Sequence, residues 1–109
     1  MRAVVLITLF ALTAVAEARA EDGELRAFRL MRTHRLLTPE QARCVFLMRR
    51  DNSTARRLVV GVYEKHDRRC GGDPETTHRL FDLELDLRSG RARWDRNDAI
   101  EMRPVPRRG

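Results

Sequence analysis

This chain is poor in aromatic residues, in lysine and in cysteine, and each shortage narrows what it can do. Aromatics make up 6% of the 109 residues. Proteins that hold single-stranded nucleic acid stack bases on interleaved aromatics and pool their positive charge on one face. Here the paired arginines (Arg49-Arg50, Arg56-Arg57, Arg68-Arg69 and Arg107-Arg108) are scattered, with Asp or Glu near most of them. Nucleic acid is therefore not the expected partner. Lys65 is the only lysine among 22 basic residues. The guanidinium fork recognises carboxylate and phosphate in two-pronged fashion, but a bias spread over the whole chain reads first as the composition of a GC-rich genome. Cysteine occurs only at Cys44 and Cys70. The one long apolar run, Ala3 to Ala16, is broken by Thr8 and Thr13 and closed by Glu17 and Arg19. It falls short of the roughly 20 residues that a membrane span requires.

That run has another reading. Arg2 gives a positive start, the apolar stretch follows, and Ala18-Arg19-Ala20 supplies the small-x-small pattern at which a signal peptidase cuts. Residues 1–20 are expected to be a signal peptide removed after Ala20. Glu21, first after the cut, is not cysteine, so no lipid anchor is expected either. Losing Arg2, Arg19 and Glu17 lowers the net charge of +6 by one. What remains is a basic domain, periplasmic or secreted, with no stable membrane anchor. A domain this small buries only about 60–65% of its unfolded surface, so a covalent staple is useful. In an exported domain an even pair of cysteines reads as a disulfide, Cys44–Cys70.

Residues 21–102 are predicted to form one α+β domain, with N-terminal helical segments packed on a small antiparallel sheet. Asp22 to Leu37 is predicted as a helix capped by Asp22, with Leu25, Phe28, Met31 and Leu36 at near-helical spacing. Thr38-Pro39-Glu40-Gln41 has the form of a capping box with Pro at the first helical position. It favours a short helix through Ala42, Cys44, Val45 and Met48. The competing reading makes Arg43 to Arg50 a strand, because Cys-Val-Phe-Leu-Met is a compact apolar run without clear period. A four-stranded antiparallel meander with one helix is the alternative fold. Arg57 to His66 is the strongest strand, apolar on both faces and so central. Leu80–Leu87 alternates Leu with Asp or Glu, and Ser89-Gly90 turns the chain into Arg91–Asp95 as a hairpin. Phe28, Met31, Val45, Met48, Leu58, Val60, Val62, Phe81, Leu83, Leu85 and Trp94 are the expected core. Residues 103–109, rich in Pro and Arg, are expected to be a flexible tail.

The loop from His66 to His78 stands out. Gly71 and Gly72 permit positive φ, Pro74 fixes the exit, and Asp73 can accept backbone N–H bonds. If Cys70 is bonded to Cys44, the loop is pinned to the segment after the Thr38 cap. His66, Arg68, Arg69, Asp73 and His78 are then the candidate binding residues of a recognition loop. A metal- or redox-active reading would use Cys70 with His66 and His78. It needs a thiolate and three or four convergent ligands. A Cys–His nucleophile would need a free thiol of low pKa, and no third orienting group is evident. No catalytic residue, metal site or cofactor is assigned.

Tyr63-Glu64-Lys65-His66, Cys70-Gly71-Gly72-Asp73-Pro74, Leu80-Phe81 and Ser89-Gly90 together resemble a signature of small exported proteobacterial proteins over residues 57–95. The cap, the helix and the Asp-rich hairpin ending in Ser-Gly are also similar to PepSY-type α+β domains. That resemblance implies inhibition or modulation of partner proteins in the envelope, and it brings no catalytic residue with it. The expectation is a non-enzymatic, inhibitor-like binding module whose partner is an envelope protein or an anionic envelope component. The basic charge disfavours a strongly basic target such as a lysozyme.

Overall fold

The computed structural model describes residues 23–98 and 100–107; the expected signal peptide, its cut after Ala20 and the Asp22 cap lie outside them. The fold is α+β. Helix α1 covers 23–33 of the described residues, and α2 is a single turn, Pro39–Arg43. Five strands follow: β1 (Val45–Arg49), β2 (Arg57–Glu64), β3 (Arg79–Asp86), β4 (Ala92–Trp94) and β5 (Arg103–Pro104). They form one sheet in sequence order, each antiparallel to the next. Among the described residues no helix is long and apolar enough to cross a membrane.

α1 packs on one face of the sheet, and of the expected apolar stripe only Leu25 is left out. Gly23, Ala27 and Met31 are buried at i, i+4 and i+8, Phe28 is half-buried, and Leu25 is 58% exposed. Small residues let the helix axis approach the sheet closely, and Leu25 falls on the flank. The helix stops before Leu37 because Arg35 adopts φ 54. Leu36 N–H then donates to the Met31 carbonyl (2.8 Å) and Arg35 N–H to that of Arg32 (3.2 Å), closing a Schellman cap. Met31 and Leu36, the two apolar ends of that cap, are both buried in the core. Arg26 further ties α1 to the Leu87 carbonyl at 3.0 Å.

The capping box at Thr38 forms as expected: Gln41 N–H donates to Thr38 Oγ1 (3.1 Å), and Thr38 N–H to Gln41 Oε1 (2.9 Å). The helix it starts does not run on to Met48. A capping box satisfies the first turn only. From Val45 onward the chain does better as an edge strand, pairing with β2 and burying Val45. The strand reading of this segment is therefore the correct one. Met48 sits on the far face and is 47% exposed, so it is not a core residue. Phe28 packs half-buried against the core, and the other expected residues form it together with Ala27, Leu36, Leu37, Ala92 and Val105. Phe81 and Trp94 meet edge to face with centroids 5.1 Å apart. The tail expected from residue 103 is ordered at its start: Arg103 and Pro104 pair with β4, and Val105 is buried. Proline at Pro104 hides this strand from sequence patterning, and it is tolerated because β5 lies at the sheet's edge.

Candidate functional site

Residues 65–78 connect β2 to β3, and the chain frames this loop from within. Cys44 and Cys70 are joined by a disulfide with Cα atoms 5.6 Å apart. Cys44 directly precedes β1, so the bridge ties the loop to the sheet. Lys65 N–H donates to the Cys44 carbonyl at 2.7 Å, reinforcing the same junction. Asp67 Oδ1 accepts from Arg69 N–H (3.0 Å) and Cys70 N–H (2.8 Å), which sets a single turn just before the bridge. Asp73 Oδ1 accepts from Glu75 N–H at 2.9 Å. Thr76 Oγ1 donates to the Asp73 carbonyl at 3.0 Å.

His66 is the strut of this framework. Its Nδ1 lies 2.9 Å from the Asp73 carbonyl and 3.0 Å from that of Thr76. Its Nε2 lies 3.2 Å from a Glu64 carboxylate oxygen. These partners are acceptors, so the ring satisfies them all only when both nitrogens carry protons. The Glu64 carboxylate first, and then the two carbonyls, hold the His66 pKa above its ordinary value. Gly72 closes over the ring. It has φ +82, and a Cβ there would stand 2.7 Å from His66 Cδ2.

Of the candidate binding residues, His66 and Asp73 are thus committed to holding the loop's shape. Arg68, Arg69 and His78 are exposed. Their side chains meet no hydrogen-bond or ion-pair partner among the described residues. Both sulfurs are consumed by the disulfide, so Cys70 offers neither a thiolate ligand nor a nucleophile in this state. Among the described residues no group of three or more His, Cys, Asp or Glu side chains converges as a metal site.

A second cluster, on the sheet face opposite α1, is one that sequence reasoning missed. Arg50, just past β1, crosses β2 to Asp82 on β3, with Nε–Oδ2 at 3.2 Å and Nη2–Oδ1 at 2.9 Å. On the way it donates to the Tyr63 hydroxyl at 2.7 Å. Tyr63 stacks on Phe46 with centroids 5.4 Å apart. Arg79 extends the network to Asp95 at 3.1 Å. Gly61 is its floor: a Cβ there would lie 2.8 Å from both the Arg50 guanidinium carbon and the Tyr63 ring. The signal was present, since glycine inside a strand marks a close approach. The partners Arg50 and Asp82 lie too far apart in sequence for local pattern to join them. Each charge here is paired, so the cluster fastens three strands together rather than presenting a free group.

Compared with known proteins, the chain matches no family, no curated protein and no solved structure.

Proposed function

We propose that this chain is an exported, non-enzymatic binding or inhibitor-like module, periplasmic or secreted, that recognises an envelope protein or anionic envelope component through loop 65–78. One observation carries the reading. Within the loop the Asp67 and Asp73 carboxylates, the Thr76 hydroxyl and the His66 imidazole are bonded to the loop's own backbone, while Arg68 and Arg69 are left exposed at its surface. A loop already fixed in shape loses little conformational freedom on binding, and guanidinium groups suit carboxylate or phosphate targets. The disulfide supports an oxidising compartment, and the leader pattern supports export.

The test is capture from periplasmic extract by the wild-type protein and by a variant carrying Arg68→Glu and Arg69→Glu, each at low and high salt. A protein retained by the wild type and lost by the variant is the expected result. Retention that persists at high salt marks a dedicated partner, whereas loss at high salt marks generic anion binding. Equal retention by both proteins would remove the loop from the recognition surface.

A further inference from the structure

The sheet has two edges, and they are not alike. β1 forms one of them, and among the described residues nothing pairs with its outer side. Arg50 N–H donates to the Val59 carbonyl (2.8 Å) and Lys65 N–H to that of Cys44 (2.7 Å). Backbone groups alternate in direction along an antiparallel ladder. In this register Phe46 and Met48 direct theirs at β2, whereas Val45, Leu47 and Arg49 turn theirs outward. Such a row templates another strand unless it is very short, bulged, or marked by Lys or Pro. β5 carries two of those protections, having two residues of which one is Pro104. β1 carries neither Lys nor Pro and pairs with β2 without a register shift; its one charge is the terminal Arg49. Large apolar groups also gather at this edge: Leu25 is 58% exposed, Met48 47% and Phe46 36%. A groove of about 400 Å³ runs between α1 and β1, lined by Glu24, Leu25, Phe28, Val45, Phe46 and Leu47.

We propose that β1 pairs with β1 of a second copy of this chain, antiparallel about a two-fold axis through Leu47, so that two sheets become one. The strand is complementary to itself in this register. Leu47 meets Leu47 of the second copy, Val45 meets Arg49, and Phe46 meets Met48. Each outward backbone group of Val45, Leu47 and Arg49 finds a partner. Phe46 and Met48 cover each other on the face opposite α1, a thioether–aromatic contact made on both sides of the axis. On the α1 face, Arg49 of the second copy arrives beside Val45, at the groove that Glu24 lines with an opposite charge. Sliding the register by two residues strips Phe46 or Met48 of its cover. The contact is small, five residues a side. A standard stable interface has roughly 20–30 a side, so this dimer dissociates on dilution.

Sedimentation equilibrium on the purified protein, from about 10 μM to about 1 mM, spans the range of such weak pairs. The expected result is a reversible rise from the mass of one chain to that of two. Met48→Lys, at an exposed position, sets an ammonium against Phe46 of the second copy and should weaken association by about tenfold or more. Register is read by mixing Phe46→Cys protein with Met48→Cys protein under mild oxidation. These positions oppose each other as a pair without mutual hydrogen bonds, with Cα atoms about 4.5 Å apart, within disulfide reach. Random pairing would make the mixed species half of the total, so the mixed cross-linked dimer should exceed the two homodimers combined. A mass that stays at one chain throughout, association unchanged by Met48→Lys, or homodimers together as abundant as the mixed species would each overturn the proposal.

Discussion

β3 is joined to the rest of the sheet by two connections of opposite construction. At its end, Asp86 leads into a short turn. Its Oδ1 accepts from Arg88 N–H (2.8 Å) and Ser89 N–H (3.0 Å), and Gly90 at φ 76 brings the chain back. Asp86 N–H then bonds the Arg91 carbonyl at 2.8 Å, and the ladder resumes. At its start stands loop 65–78, longer than a hairpin needs, braced by a disulfide, a histidine strut and two aspartate-capped turns. The short turn closes by local chemistry alone. The long loop would pay for its length in conformational freedom without the bridge to Cys44. Structure invested beyond the needs of closure points to a shape worth keeping.

Cutting the bridge should separate the two connections most sharply. Cys44→Ala is expected to cost about 2–5 kcal/mol, Cys70→Ala about the same, and the double variant little more, because all remove one bond. Urea unfolding of the three variants measures this, with reductant reproducing the effect in the wild type. Residue-resolved amide exchange should show protection lost in 65–78 while 87–90 keeps it. Equal loss in both would mean that the loop has no separate stability.

Gly72→Ala attacks the loop without touching the disulfide. It forces a side chain into positive φ against the His66 ring. The expected cost is about 1–2 kcal/mol. NMR titration should show the His66 pKa falling back toward its ordinary value as the ring is displaced. An unchanged titration would mean that Gly72 is there for the turn and not for the histidine.

The two connections should also answer to pH in opposite directions. The His66 pKa is raised by Glu64 and the carbonyls of Asp73 and Thr76. Its contribution is therefore complete below the unfolded value of about 6.5 and is lost as pH rises through the folded value. The Asp86 pKa is lowered by hydrogen bonds from Ser89 and Arg88. Its contribution is present above the unfolded value of about 3.9 and disappears as pH falls through the folded one. Amide exchange at mildly alkaline pH should loosen the loop first, and at acid pH the turn. His66→Gln should abolish the alkaline effect alone. Smallest of all, Arg68→Ala and Arg69→Ala should change stability by no more than about 0.5 kcal/mol, since both side chains are exposed and make no hydrogen bond or ion pair among the described residues. A larger loss would make them structural.

Sequence patterning found β2, β3 and β4 because Leu58, Val60, Val62, Leu83, Leu85 and Trp94 alternate with the pleat. The disulfide and the loop it pins were legible from two cysteines and a Gly-Gly-Asp-Pro string. β1 was harder. Thr38 announces a helix, and the helix exists, but nothing in Arg43–Arg50 says that pairing with β2 will end it after one turn. Most of the expected helical stripe was right, with Met31 and Leu36 buried and Phe28 packed on the core; only Leu25 was misassigned, because Gly23 and Ala27 weigh little on a hydrophobicity scale and yet permit the closest packing. The role of His66 was out of reach for a different reason. Two of its three main partners are backbone carbonyls, which carry no sequence identity.

The Pro104 edge has a consequence for assembly that reaches beyond one pair of molecules. Indefinite β-stacking needs two open ends on every unit, so that each arrival leaves a fresh site behind it. Here β5 lacks the donor that proline removes and offers only two residues. Once the β1 ends have met, a joined pair shows only terminated ends to the solution. Growth stops at a closed, two-fold object, and the chain can keep one adhesive edge without seeding a fibre.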